Sequence, residues 1–357
     1  MITQTLPAPD PTGASFGREG VVSETAPRIA VVIPSYRVTR HILEVIASIP
    51  AQVWRIYVVD DACPDGSGDF VERDCVDPRV VVVRNPQNMG VGGAVMHGYR
   101  RAVDDGADVI VKIDGDGQMD PALLPRFVAP ILAGQADYTK GNRFYDLRYI
   151  RRMPALRLFG NAVLSFMAKV STGYWDLFDP TNGYTAIDAR VASALPLDKI
   201  SSRYFFETDL LFRLGTYRAV AVDVPMDAIY ADEESNLRVG KVLGEFLFKH
   251  VRNLSKRIFY NYFLRDLSVA SFELLVGVSM LLFGVAYGGY HWWLSQHSLA
   301  PTATGIIMLA AMPVILGLQL LLAFMAYDIA AVPRLPMASR LGTRLPPRSA
   351  DVSGRQA

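Results

Sequence analysis

From Arg28 onward the chain alternates short apolar runs with longer segments of mixed polarity. "RIAVVIPSY", "RIYVVDDACPDGSGDF", "RVVVVRNPQNMGVGGA" and "ADVIVKIDGDG" each follow a Val/Ile-rich run with Pro, Asp, Asn or Gly. Apolar runs without polar alternation are the mark of strands buried on both faces. Helical segments are expected between them, near residues 40–49 and 92–105. Strands alternating with helices predict an α/β fold with a Rossmann-like, mostly parallel sheet covered on both sides. Ligands bind such sheets at the carboxyl ends of the strands. Tyr36, Asp61 and Asp114 all fall at those ends. Residues 137–245 are more mixed and hold "KGNRF", the basic and aromatic "YDLRYIRRMPALRLFGN", "DPTNGYTAI" and "YFFETDLLFRLG".

The pattern changes again near the C-terminus. Residues 267–293 carry one formal charge, Glu273, and residues 304–332 carry one, Asp328. Each stretch exceeds the ~20 residues that cross a hydrocarbon core. Lys249, Arg252, Lys256, Arg257 and Arg265 precede the first span, and Arg334, Arg340, Arg344 and Arg348 follow the second. The connection "YHWWLSQHSLAPT" has no Lys or Arg. The positive-inside rule then puts both ends, and with them the α/β domain, in the cytoplasm, with Trp292 and Trp293 at the far interface. "GEFLFKHVRNLSKRIFYNYFLR" mixes basic and aromatic residues and reads as a helix lying on an anionic leaflet. The expected organisation is a disordered tail over 1–27, an α/β domain over 28–245 and an interfacial amphipathic helix over 246–266. A two-helix transmembrane hairpin over 267–332 and a cytoplasmic tail over 333–357 complete it.

Composition agrees with a multi-pass membrane protein. Hydrophobic residues make up 51% of the 357, and mean hydropathy is +0.20. Lys and Arg number 36 against 35 Asp and Glu, which gives no reason to expect a nucleic-acid partner. The tail before Arg28 lacks the apolar core of a signal peptide. The only cysteines, Cys63 and Cys75, form no CxxC pair and read as reduced thiols.

The candidate chemistry centres on "VKIDGDGQMDP". Side chains at the spacing of Asp114, Asp116 and Gln118 share a face only in extended geometry, and at a strand end Asp114 and Asp116 begin that way before the glycines turn the chain. Their oxygens suit a hard divalent cation, Mg2+ or Mn2+. Such an ion takes few protein ligands and keeps sites for water and phosphate oxygens. "GVGGA" does not complete the dinucleotide fingerprint, because Val95 stands at the third glycine position. Its glycines read as a close backbone approach at a helix start, and hydride transfer is disfavoured.

"VVIPSYR", "VVDDACPDGS", "NMGVGGAVMHGYRRA", "KIDGDGQMDP", "GNRF" and "DPTNGYTAI" occur in the order found in family 2 glycosyltransferases of the GT-A fold. With the hairpin, the chain resembles the polyprenyl-phosphate glycosyltransferases, the branch that includes dolichol-phosphate mannose synthase. The resemblance implies that Pro34, Tyr36 and Asp61 line a nucleoside pocket, with Asp114 beside ribose and metal. It implies that Asp116 and Gln118 hold the metal on the diphosphate. Arg143 and Arg157 would grip the acceptor phosphate, and Asp209 in "FETDLL" matches an acidic position facing the acceptor. Gly115 replaces the more common alanine of Asp-Ala-Asp. The implied reaction is inverting transfer of one sugar from a nucleotide-sugar donor to a polyprenyl phosphate at the cytoplasmic face of the membrane. A largely dianionic phosphate needs no strong general base. A hydroxyl acceptor, giving a glycolipid or polysaccharide, would need one and would make Asp209 essential. A non-catalytic nucleotide-sugar-binding scaffold is the remaining alternative, and homo-oligomerisation stays open.

Overall fold

A computed structural model describes residues 26–145, 155–180, 182–226, 239–298 and 301–342. The tail before residue 26, most of the "YADEESNLRVGK" loop, and Arg344 and Arg348 lie outside the described residues. Among the described residues seven strands form one sheet: β1 (Ile29–Ser35), β2 (Val53–Asp60), β3 (Val80–Arg84), β4 (Val109–Lys112), β5 (Tyr138–Asn142), β6 (Thr185–Asp188) and β7 (Ala221–Pro225). Their order is β3-β2-β1-β4-β6-β5-β7. All pairs are parallel except those of β6, which runs antiparallel to β4 and β5. The apolar runs account for this: β1 is almost wholly buried and all of β4 is, as central strands covered on both faces must be.

Helices α1 (Ile42–Ser48), α2 (Ser67–Asp74) and α4 (Leu124–Leu132) cover one face. Helices α3 (Val91–Asp104), α6 (Ala189–Ala194) and α7 (Phe206–Tyr217) cover the other. The expected helices at 40–49 and 92–105 are thus α1 and α3. The antiparallel strand β6 shapes the ligand edge. Lys112 on β4 and Lys140 on β5 both stand opposite Thr185 at its start. The carboxyl ends of β1, β2, β4, β5 and β7 and the entry to β6 therefore meet along one edge.

Helix α5 (Ala155–Thr172) lies against α8 (Val239–Ile258), which ends in a π-helical turn over Phe259–Arg265. The hairpin follows as α9 (Val269–Ser298) and α10 (Thr304–Ala330). At 1.5 Å per residue they reach about 45 and 40 Å, ample for a ~30 Å hydrocarbon core. Small residues bring them together: a Cβ on Gly317 would lie 2.8 Å from the Gly277 carbonyl oxygen. Most of their side chains face outward.

Helix α8 inverts the usual pattern. Its inward side chains are polar: His250 bonds Ser171 at 2.8 Å, Asn253 bonds Asp209 at 3.3 Å, and Arg257 bonds the Val170 carbonyl at 2.8 Å. Leu247, Phe248 and Val251 point outward beside exposed Arg252 and Lys256. Arg257 also grips Asp328, near the end of α10, at 2.6 and 3.0 Å. Tyr262 and Trp175 donate to the same carboxylate. After α10 the chain returns to the catalytic domain. The fully buried Asp137 accepts from Met337 N and Ala338 N, each at 2.7 Å, at the start of α11 (Ala338–Leu341). Both ends of the hairpin are thereby tied to the same domain, which places them on one side of any bilayer it crosses.

Candidate active site

The gathered strand ends floor a cavity of about 1290 Å³. That exceeds the roughly 300–1,000 Å³ of a single small-ligand site and leaves room for two substrates. Pro34, Tyr36, Asp61, Asp114, Asp116, Gln118 and Arg143 all line it. Asn161 and Leu164 of α5 and Phe246 of α8 form a wall, so the juxtamembrane helices border the chemistry directly.

The floor is a charge cluster that the motifs alone do not reveal. Lys112, buried on β4, sets its ammonium 2.7 and 2.8 Å from the two oxygens of Asp114. Glu207 lies 4.0 Å from the same nitrogen. Burial raises the Glu207 carboxyl above the usual carboxylate range, against the opposing pull of Lys140 and Lys112. Lys140 is fully buried, and desolvation pulls its ammonium below the usual lysine range. It donates to the Asn182 carbonyl. Gly183 makes room for the cluster: a Cβ there would sit 2.4 Å from Lys112 Nζ and 2.8 Å from Asp114 Oδ2.

The acidic loop turns at its glycines, and the extended stretch ends before Asp114. Strand β4 stops at Lys112, and Gly117 takes a positive φ of 79°. Asp116 Oδ1 accepts the Gln118 N–H at 3.0 Å, a side-chain turn of the kind aspartate favours. Asp116 and Gln118 still face the cavity, while Asp114 is bracketed by an ammonium. No group of three or more His, Cys, Asp or Glu able to hold a metal occurs among the described residues. The chemistry of this donor set fits a Mg2+ or Mn2+ ion that draws its remaining ligands from water and phosphate oxygens.

Tyr36 is 42% exposed, and the Arg37 guanidinium lies 5.5 Å from its ring centroid. Asp61 is buried and already accepts from Asn85 Nδ2 at 2.7 Å, Met89 N at 2.8 Å and Gly90 N at 2.7 Å. It therefore holds the turn into α3, and a base contact would be additional. The close backbone approach expected of "GVGGA" exists, but its partner is protein. A Cβ on Gly92 would meet the Ser201 carbonyl oxygen at 2.4 Å, and Gly93 N donates to Ser202 O at 3.0 Å. The glycines dock the segment that carries Arg203, Tyr204 and Glu207 to the cavity.

Arg143 is held by buried Asp179, with Nε at 2.7 Å from one oxygen and Nη2 at 3.1 Å from the other. Arg157 falls in the first turn of α5, and its side chain lies outside the described residues. Asp209 does not line the cavity. It is buried, accepts from Ser201 N at 2.9 Å and Asn253 Nδ2 at 3.3 Å, and stands 3.8 Å from Arg213. Residues two apart on a helix point about 200° apart. Glu207 thus faces the cavity, and Asp209 faces α8. The role near the acceptor expected of Asp209 is not the one its surroundings support: it anchors the juxtamembrane helix.

Residues 30–195 match the profile of "Glycosyl transferase family 2". The chain is 31% identical over 229 residues to an undecaprenyl-phosphate mannosyltransferase of Micrococcus luteus, a match spanning 61% of this chain and 90% of that protein. It is 27% identical over 238 residues to a polyprenol monophosphomannose synthase of Mycolicibacterium smegmatis, spanning 65% of this chain and 89% of that one. Among solved structures, a glucosyl-3-phosphoglycerate synthase of Mycobacterium tuberculosis aligns at 20% identity and a TM-score of 0.48, covering 65% of this chain and 78% of that one.

Proposed function

The chain belongs to glycosyl transferase family 2, and from that premise we propose that it moves a single sugar from a nucleotide donor to a polyprenyl phosphate at the cytoplasmic face of a membrane, with inversion. The observation that carries this reading is the cavity wall. A site lined by Asp116, Lys112 and Arg143 on one side and by α5 and α8 on the other suits an acceptor whose phosphate is tied to the bilayer. Relatives named for transfer to undecaprenyl phosphate and polyprenol phosphate support the same acceptor class.

The nucleoside would lie along Pro34 and Tyr36, with Asp61 keeping the adjoining turn rigid. A divalent cation held by Asp116 and Gln118 would act as a Lewis acid, offsetting charge on the departing diphosphate. The Lys112 ammonium, fixed by Asp114 and Glu207, adds a positive charge from the protein at the cavity floor. Arg143, its fork oriented by Asp179, would bind the acceptor phosphate together with Arg157. An oxygen of that phosphate attacks the anomeric carbon opposite the leaving group, the C–O bond to the diphosphate breaks, and the configuration inverts. A phosphomonoester has a second pKa of about 6, so the attacking oxygen carries no proton that must be removed near neutral pH. Glu207 then has an electrostatic and sugar-orienting task. Polyprenyl phosphate is too apolar to leave the bilayer, at about 0.8 kcal/mol per buried CH₂, which is the physical reason for a membrane hairpin.

The test is to incubate the purified full chain with a panel of nucleotide sugars, Mg2+ or Mn2+, and either undecaprenyl phosphate or undecaprenol. A mass corresponding to one hexose on the phosphate alone is expected. A product on the free alcohol, or donor binding without turnover for every sugar, overturns the reading.

A further inference from the structure

A second cavity lies away from the candidate active site. It holds about 420 Å³ and is lined by Arg218, Arg334 and Arg340 together with residues 330–335. Among the described residues no acidic side chain lines it, and none of its arginines is paired with a carboxylate. Each arginine comes from a different part of the fold. Arg218 caps α7 with a positive φ of 58°, just before β7. Arg334 belongs to the segment leaving α10, and Arg340 to α11. That segment is held at both ends. Ala331 N bonds back to Tyr327 O at 2.9 Å, and the Ala331 carbonyl accepts from Arg218 Nη2 at 3.2 Å. Met337 N and Ala338 N are fixed on Asp137, each at 2.7 Å. The cleft is thus a built cationic notch between the catalytic domain and the chain returning from the hairpin. Asp137 and Arg218 precede the parallel strands β5 and β7, so the notch lies at the amino edge of the sheet, opposite the sugar cavity.

Guanidinium groups gathered in one notch repel one another, and each presents paired donors that match phosphate oxygens. The notch-lining residues 330–335 continue directly from the apolar helix α10. The notch therefore sits where that helix leaves the hydrocarbon, at the depth of lipid headgroups. Leu335 beside it is 67% exposed, an apolar contact for an acyl chain. We propose that the notch binds the phosphate of an anionic phospholipid, and that the bound lipid clamps the segment after α10 to the catalytic domain. The headgroup phosphate answers the arginines while the acyl chains run back along the end of α10. The site is separate from the acceptor cavity. The proposal rests on the hairpin lying in a bilayer, and its test separates the two claims.

The full chain is reconstituted in nanodiscs of phosphatidylcholine and phosphatidylglycerol, transferred to a nonionic detergent, washed and weighed by native mass spectrometry. A single phosphatidylglycerol per chain is expected to survive washing, without phosphatidylcholine, and an excess of inorganic phosphate should leave it in place. Arg334→Gln with Arg340→Gln alters exposed side chains and should lower that retention about 25-fold, each juxtamembrane arginine being worth about a factor of five. Arg252→Gln with Lys256→Gln removes the same charge from the exposed side of α8 and should keep the lipid. Added phosphatidylglycerol, but not phosphatidylcholine, should raise the melting temperature of the wild type in detergent. The notch variant should lose that rise while melting like lipid-free wild type. Equal loss of lipid in both double variants assigns the retention to diffuse surface charge and overturns the proposal. Displacement by inorganic phosphate makes the ligand a soluble anion and overturns it too. A chain that stays dispersed in buffer without detergent or lipid overturns the membrane reading itself.

Discussion

Asp209→Asn separates the two acidic residues of "FETDLL". In the wild type Asp209 accepts from Ser201 N at 2.9 Å and Asn253 Nδ2 at 3.3 Å. An asparagine oxygen can keep the first bond. Its new amide N–H₂ would face the Asn253 amide donor, but Asn253 Oδ1 is buried with no partner. A flip of the Asn253 amide therefore restores the second bond with donor and acceptor exchanged. What is lost is the charge of two hydrogen bonds and the attraction to Arg213. Bonds to charged groups are worth about 1.5–3 kcal/mol and neutral ones about 0.5–1.5, so the variant should lose about 1–3 kcal/mol of stability. Its chemistry should survive, because no atom of Asp209 reaches the cavity. Loss of a general base would instead lower kcat about 10²–10⁴-fold. The assay is thermal unfolding in detergent together with nucleoside diphosphate release at saturating donor and lipid phosphate. A folded Asp209→Asn enzyme with kcat within about threefold of wild type is expected, where 1.36 kcal/mol would be tenfold. A hundredfold loss of kcat in a protein of normal stability would refute the assignment of Asp209 to the α8 anchor.

Glu207→Gln strikes the charge cluster itself and should lower kcat by about tenfold or more, roughly 1.4 kcal/mol, with wild-type unfolding; turnover equal to wild type would remove Glu207 from the site. Asp116→Ala should abolish lipid-linked product and the metal dependence of donor binding by calorimetry, while circular dichroism stays unchanged. Arg257→Met leaves the Asp328 carboxylate buried without its cation, a change worth about 3–5 kcal/mol, whereas Arg257→Met with Asp328→Leu should recover part of that loss; denaturation of both variants checks the order. Burial raises the Asp223 carboxyl to about 6 from an ordinary 3.8. Its contribution to stability is thus fully present below about 3.8 and lost as pH rises through about 6, so Asp223→Asn should flatten the fall in melting temperature across that window.

Much of this molecule was legible along the chain because its signals are local. A short Val/Ile-rich run such as "IAVVIPS", closed by turn residues and recurring along the chain, reads as a strand covered on both faces, and a 27-residue apolar stretch with a single acid near its end reads as a long buried or lipid-facing helix. Gly and Asp at the ends of those runs mark the ligand edge of a parallel sheet, and Tyr36, Asp114, Asp116 and Arg143 do meet there. Contacts between residues distant in sequence were decided by tertiary structure alone. Lys112 and Lys140 look like ordinary strand residues until the antiparallel β6 sets both opposite Thr185. The side of α7 that faces the cavity depends on how "GVGGA" docks against Ser201, and a two-residue step on a helix then exchanges Glu207 for Asp209. The polar inner face of α8 and the Arg257–Asp328 pair join residues 71 positions apart. A hydrophobicity pattern reports how each segment meets its surroundings, but not which buried charge will answer another, because that depends on distances that only the folded chain sets.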